Sequence, residues 1–494
     1  MIKKVAAALL AMMALWPAVS AASPVTVKLK GDGLKDFSAY EMDGSFYTAP
    51  VVLTKGNRWK VTWDSDKLYV LVTPKGMTSE ERVEIPYTEI NGGKYVDFSY
   101  FSEPAGLTYI YKDKKKELSV QKIKSGKVRK EKKENTMDLS RRPLVLWDVN
   151  FSYPMESGGF ENLSGNHILS PSIGSYEDME KGTCKWNFSY LKQAKDHGLS
   201  VMPLIHNDFE VKKTASFMRD QKRQDHVIST MTAVGEVYGL YGYNMDFENM
   251  DPKDRDLYTS FMGKLSRPLH ENSMKLTADI TVYNAGSPTW SLCYDREALS
   301  AYCDYEIIMG YDETPRTSKY AGSVSSYSWL DKNIPILTAM VPPEKLILGL
   351  PFYTRIYSGN PGYMTSKTLA MKDEDSLLRR THAKPVWQPD ARQYTLTWRE
   401  RGILHRVYLE EEKSLSAKVQ LLSRYNLAGL AFWRHGFETS DVYEKMEGKG
   451  EKKVAEGECP AGKVAQGEWP LAKGAVGRGN SESGTSLIFC GVSR

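Results

Sequence analysis

Tyr241-Gly242-Tyr243-Asn244-Met245-Asp246-Phe247-Glu248-Asn249 is the stretch around which the rest of the chain falls into order. Its side chains alternate in character. Asn244, Asp246 and Glu248 share one face of an extended strand, while Tyr243, Met245 and Phe247 share the other. An apolar face of this kind packs under helices, so the polar face points the opposite way, into an enclosed mouth, with Glu248 reaching furthest out. Two carboxylates about 7 Å apart by strand rise in such a space resist ionising together, and one keeps its proton to higher pH. A proton held at neutral pH is what a general acid needs.

Working outward, seven more apolar runs flank this one. The eight candidate strands cover residues 144–151, 167–170, 200–205, 240–246, 275–282, 305–311, 345–353 and 427–433. Longer helical stretches separate them, which is the signature of repeated βα units. Near-continuous apolar runs such as Leu144-Val145-Leu146 and Leu346-Ile347-Leu348 fit strands covered on both faces. The expected fold is α/β, a (β/α)8 TIM barrel, with a doubly wound open sheet as the alternative. Catalytic groups in such barrels sit at the C-terminal ends of strands, where the acidic run lies. The gap between the seventh and eighth strands is too long for one helix, and residues 392–398 and 403–409 read as strands. An α+β insertion is therefore expected at about 354–412.

The remaining regions set the compartment and the domain plan. Lys3 and Lys4 precede an apolar run ending at Leu15, and Val19-Ser20-Ala21 offers a cleavage site, so residues 1–22 read as a signal peptide. The run is too short for a bilayer span. The mature protein is expected outside the cytoplasm, secreted or in the cell envelope. Residues 23–135 read as a small all-β module preceding the barrel, with a hairpin around Asp64 and Lys67, and a lysine-dense linker follows from Lys112. The barrel takes 136–446, and 447–494 reads as a disordered tail. A net charge of +5 in 494 residues points to neither nucleic acid nor a membrane surface. Five cysteines are too few for a disulfide scaffold. Cys293 and Cys303 are near enough in sequence to pair, or are two buried thiols.

The acidic run resembles the D-x-x-D-x-D-x-E signature of glycoside hydrolase family 18, and in particular its spore-cortex-lytic and spore-germination branch. Further blocks of resemblance follow in order at 291–296, 308–313, 348–353 and 428–433. The sequence departs from the family pattern at Tyr241 and Asn244, where chitinases carry aspartates. Asp246 and Glu248 are retained. The resemblance implies a retaining glycosidase in which the substrate's own 2-acetamido oxygen is the nucleophile, so the substrate carries an N-acetyl group. It also implies that Glu248 protonates the leaving oxygen, that Asp246 orients the acetamido group, and that Tyr311 hydrogen-bonds it, which makes these three the catalytic candidates. Trp433 would form the floor under the sugar, with Asn244 and Asp312 beside the site. By position, Asp148 lines the cleft, Asp279 lines it or caps a barrel layer, and the run His206-Asn207-Asp208 together with Arg406 are weaker substrate contacts.

No His, Cys or carboxylate spacing reads as a metal site, and no glycine-rich phosphate loop is present, so no metal or cofactor is expected. The expected partner is an N-acetylated polysaccharide, peptidoglycan or chitin-like. The branch resemblance and the bacterial-type leader favour peptidoglycan, cut by a monomer. An inactive glycan-binding protein is the rival reading, and the retention of Glu248 argues against it. The β module is a candidate wall-binding element.

Overall fold

Eight parallel strands close into a barrel in the computed structural model, which describes residues 23–56, 59–123, 142–151, 160, 163 and 165–446. The expected signal peptide and tail, and the lysine-dense linker beyond residue 123, lie outside the described residues. The barrel strands are Leu144–Asp148, His167–Ser175, a third in two pieces (Ser200–Val201 and Leu204–His206), Gly242–Asp246, Lys275–Thr281, Tyr305–Met309, Leu346–Pro351 and Gly429–Trp433. The eighth pairs in parallel with the first, Leu144 opposite Leu430 and Trp147 opposite Trp433, so the sheet has no open edge and is not doubly wound. The third strand breaks at Met202-Pro203. Proline has no amide hydrogen to give the ladder, and its carbonyl instead accepts from the Asn244 amide at 2.9 Å.

The barrel interior is filled rather than hollow. Val145, Trp147, Ile168, Met202, Leu204, Ile307, Ile347 and Ala431 form one buried cluster inside the ring, while the opposite strand faces join the larger core under the helices. Gly349 makes room for the largest of these residues. A β-carbon there would sit 3.1 Å from the Trp147 ring and 2.6 Å from the carbonyl oxygen of Ile308.

Two additions flank the barrel. Between the seventh and eighth strands lies a five-stranded antiparallel sheet built from Tyr353–Ser358, Thr365–Ala370, Val386–Gln388, Gln393–Glu400 and Ile403–Tyr408, with the helix Glu374–Thr381 against it. Its own core is Leu377, Leu396, Val407 and Leu409. Before the barrel come a seven-stranded sheet and a three-stranded sheet. The hairpin read from the sequence is Lys60–Asp64 paired with Lys67–Val72 in the smaller sheet. Lys112, read as the start of a linker, instead ends the strand Leu107–Lys112, which pairs with Glu117–Lys122 in the larger sheet.

These N-terminal sheets are joined to the barrel's helical layer. Trp59 Nε1 donates to Glu236 Oε1 at 2.9 Å, and the Tyr100 hydroxyl donates to the Tyr238 carbonyl at 2.8 Å. The Tyr238 hydroxyl reaches back to the Glu84 carbonyl at 2.7 Å, and the Phe101 and Phe188 rings stack with centroids 5.5 Å apart. One continuous apolar core runs through both parts. Among the described residues no helix is long and apolar enough to cross a membrane.

Candidate active site

The fourth strand carries the site, and its inward face changes character along its length. Asn244, fully buried, makes four hydrogen bonds. Its Oδ1 accepts from Trp147 Nε1 at 2.8 Å and Ser170 Oγ at 3.3 Å, and its Nδ2 donates to Thr277 Oγ1 at 2.9 Å and Asp279 Oδ1 at 2.7 Å. Two residues nearer the mouth, Asp246 is 7 % exposed, and its Oδ1 is buried without a hydrogen-bond partner. Burial pushes its carboxyl up to about 7.

Glu248 follows at the rim, only 8 % exposed. Burial, and then the charges of Asp246, Asp279 and Asp312, push its carboxyl well above the ordinary glutamate range. Its backbone is clamped by Asn207, which donates from Nδ2 to the Glu248 carbonyl at 2.7 Å and accepts the Glu248 amide on Oδ1 at 3.0 Å. The sequence reading placed Asn207 only within a run that could touch sugar; its structural part is to fix where the glutamate leaves the strand. A buried asparagine one residue past a barrel strand was the available signal. Neighbouring His206 is likewise occupied locally, its Nδ1 accepting the Asp208 amide at 3.2 Å.

Aromatic rings form the rest of the mouth. Trp147, Tyr311 and Trp433 lie within 6.4 Å of one another by ring centroid, with Tyr311 edge-on to Trp147 at 90°. Tyr311 and Asp312 follow the sixth strand, and Asp312 takes a left-handed backbone, φ 60°, which aspartate tolerates better than most residues. Two residues just past the seventh strand fix Asp312, and sequence reasoning missed both. The Tyr353 hydroxyl donates to its Oδ1, and Arg355 Nη2 sits 2.9 Å from the same oxygen. Arg355 keeps Nε and Nη1 buried without partners. Their signal was the alternation Tyr353, Arg355, Tyr357, masked because 345–353 read as one strand.

Asp246, Glu248, Asp279, Asn244, Tyr311, Asp312 and Trp433 are thus brought to one end of the barrel. Asp148 does not join them. Trp147 faces inward, so Asp148 turns outward to the helical layer, where its Oδ2 accepts from the Tyr190 hydroxyl at 3.1 Å. Arg406 lies on the insertion sheet, opposite Tyr357. Cys293 and Cys303 are buried free thiols. Among the described residues no cluster of three or more His, Cys, Asp or Glu side chains is placed to hold a metal.

A barrel mouth holding a glutamate whose carboxyl is raised by burial and neighbouring carboxylates, beside a cluster of aromatic rings, has the equipment of a glycosidase acting on pyranose rings. Comparison with known proteins agrees. The model of Glycosyl hydrolases family 18 matches residues 152–438, more than half of the sequence, and the chain belongs to that family. The uncharacterized glycosylase YvbX of Bacillus subtilis (strain 168) is 25% identical over 271 residues, covering 53% of this chain and 78% of that protein. The cortical fragment-lytic enzyme of Bacillus cereus is 22% identical over 281 residues, covering 53% of this chain and 63% of that enzyme. Among solved structures, the Bacillus cereus spore cortex-lytic enzyme SleL superposes with a TM-score of 0.56 at 18% identity, over 62% of this chain and 73% of that one. A chitinase from Chromobacterium violaceum ATCC 12472 gives 0.53 at 20% identity, over 63% and 100%. The protein is a family 18 glycosidase related to cortex-lytic enzymes and chitinases.

Proposed function

We propose that this glycosidase cleaves β-1,4 linkages of peptidoglycan on the reducing side of N-acetylglucosamine, with retention of configuration and with the substrate's acetamido group as nucleophile. The observation that carries the reading is Glu248, which is buried at the barrel rim beside three acids, where burial and then their charges push its carboxyl well above the ordinary glutamate range. In the first step Glu248 gives its proton to the leaving glycosidic oxygen as the acetamido carbonyl oxygen bonds to C1, closing an oxazolinium ring. In the second, a water oxygen bonds to C1, the ring opens, and the water's proton goes to Glu248. Asp246, whose open Oδ1 suits an amide hydrogen, orients the acetamido nitrogen; the Tyr311 hydroxyl binds its oxygen; Trp433 supports the sugar face. Arg355 offers its two free donors to sugar oxygens beside Asp312.

The chain is exported by its leader, and the N-terminal sheets, fixed to the barrel helices, travel with the catalytic unit. The cortical fragment-lytic relatives support peptidoglycan over chitin. The test is to incubate wild type and Glu248→Gln with peptidoglycan and with chitin oligosaccharides, and to measure new reducing ends. Wild type should release N-acetylglucosamine reducing ends from peptidoglycan, while the variant loses at least a hundredfold in rate. Equal rates for the two proteins would overturn the assignment of the acid. Turnover of chitin alone would overturn the substrate.

A further inference from the structure

The two faces of the five-stranded insertion sheet differ in chemistry. Leu396 and Val407, cross-strand partners, pack with Leu377 of the helix Glu374–Thr381. Period two then puts Arg406 and Arg399 on the other face, with Tyr353, Arg355 and Tyr357 of the neighbouring strand. That face is turned to the barrel mouth. Tyr353 and Arg355 hold Asp312 from it, and the Tyr357 hydroxyl donates to the Thr314 carbonyl at 3.1 Å.

Three arginines form a diagonal row across this face. Arg406 pairs with Tyr357 on one side and with Thr397 on the other, so Arg355 and Arg399 are its diagonal neighbours, each about 7–8 Å away. The row runs from the buried Arg355 beside Asp312, through the half-buried Arg406, to the exposed Arg399. No acid of the sheet balances it. Glu400, the one carboxylate on the five strands, alternates to the helix side and pairs with Arg380 at 3.5 Å. Asp312 matches Arg355, whereas Arg406 and Arg399 have no ion-pair partner among the described residues. Arg399 gives one hydrogen to the Gly402 carbonyl at 3.0 Å, but Nε of Arg406 is buried without an acceptor, as are Nε and Nη1 of Arg355. Thr397, beside Arg406, is exposed, so the middle of the row is open to a ligand.

Guanidinium hydrogens left without acceptors, on charges left without counter-ions, suit an anion with two planar oxygens, which the arginine fork binds in bidentate fashion. We propose that this row is a carboxylate-binding wall of the glycan cleft, centred on Arg406, that selects polysaccharide bearing acidic side groups over uncharged chitin. In peptidoglycan those groups are the lactyl and stem-peptide carboxylates. The inference rests on the reading of the chain as a peptidoglycan glycosidase, and it adds what the N-acetyl chemistry of the mouth does not supply, a means of telling the two polymers apart.

The experiment titrates glycans of equal length into the full-length protein carrying Glu248→Gln, with and without Arg406→Gln. The ligands are peptidoglycan strands with stem peptides, strands stripped of peptides so that the lactyl carboxylates are free, stripped strands with those carboxylates converted to amides, and a chitin oligosaccharide. With Arg406 intact, a carboxylated strand should bind about tenfold more tightly than the amidated one, the lower end for a charge-assisted hydrogen bond. Arg406→Gln should remove more than half of that preference. Whichever carboxylated strand binds more tightly identifies the carboxylate that is held. Arg399→Gln, at the exposed end of the row, should weaken the preference in the same direction and serves if Arg406→Gln fails to fold. A preference below about threefold with Arg406 intact, or one that both substitutions leave in place, overturns the inference. Chitin bound more tightly than either carboxylated strand sinks the peptidoglycan reading and the inference with it. Peptidoglycan strands that outbind chitin whether amidated or not sink the inference alone.

Discussion

Lys418 and Glu410 form an ion pair in which both side chains are fully inaccessible to solvent. Lys418 projects from the helix Glu412–Arg424 and places Nζ 2.6 Å from Glu410 Oε1. Glu410 also accepts from Ser414 Oγ at 2.9 Å and from Gln393 Nε2 of the insertion sheet at 3.0 Å, while its amide donates to Glu374 Oε1 at 2.8 Å. Glu410 thus ties the insertion to the helix that leads into the eighth strand. Lys418→Met keeps the volume and removes the charge, leaving a buried carboxylate with two neutral donors. Breaking a buried pair from one side costs about 3–5 kcal/mol. At about 2 °C per kcal/mol for a chain this large, Tm should fall by roughly 6–10 °C near neutral pH.

The pH dependence of that loss follows from Glu410. Burial already raises its carboxyl, with Lys418 opposing, so the substitution raises it further. An acid raised in the folded state binds more protons there than in the unfolded chain, so its penalty is absent below the unfolded value and complete above the folded one. The deficit of Lys418→Met relative to wild type should therefore be greatest near pH 8 and shrink toward pH 5. Thermal unfolding of both proteins across that range decides it. A change in Tm under about 2 °C at pH 7.5, or a deficit that grows on acidification, would refute the reasoning.

Gly242→Ala should abolish folding or cost well over 3 kcal/mol, because its β-carbon would lie 2.0 Å from the Lys275 carbonyl oxygen and force the fourth and fifth strands apart beneath the acids. Soluble yield and chemical denaturation read this out, and a variant as stable as wild type contradicts the strand spacing. Glu306→Gln should raise stability at pH 8. Both Glu306 oxygens are buried without partners, and burial pushes the carboxyl up to about 8, so wild type loses stability as pH climbs from the unfolded value toward 8 and the amide variant does not. The gain in Tm should vanish near pH 5, and a pH-independent difference would show that ionisation is not its cause.

The barrel was legible because its strands are apolar on both faces, and runs such as residues 346–350 have no other use in a chain this long. The acidic run was legible because period two sorts Asn244, Asp246 and Glu248 without help from tertiary structure. Asp148 was misplaced for a related reason. A strand-end acid next to an inward tryptophan must face outward, but that follows only once Trp147 is known to face in. The insertion gave up two of its five strands in the sequence. Thr365–Ala370 is too polar to announce itself, and Tyr353–Ser358 merged with the barrel strand before it. Asn207, Tyr353 and Arg355 stayed hidden because each acts on a residue more than forty positions away, at Glu248 or Asp312.

What distinguishes Asn244 from Asp246 is two residues of strand, and the difference is informative about how such a mouth is built. Deep in the barrel, leaving a donor or acceptor unpaired costs about 1–3 kcal/mol with nothing to offset it, and there Asn244 uses all four of its hydrogen-bonding positions. Nearer the rim, Asp246 leaves an oxygen open and Arg355 leaves two donors open, although both residues are buried. Neither deficit is repaired by a small shift of the protein, because each residue is held: Asp246 by the strand ladder, Arg355 by its pair with Asp312. A bound ligand that supplies one donor and one or two acceptors at those atoms recovers that cost on binding. Filling the same positions with protein partners would raise stability and weaken the site. On this argument Arg355→Met should raise KM while lowering Tm by less than Lys418→Met does, because the Asp312 side chain it leaves behind is 27% exposed and keeps the Tyr353 hydroxyl; a fall in Tm as large as that of Lys418→Met with unaltered KM would show that the open donors serve the fold.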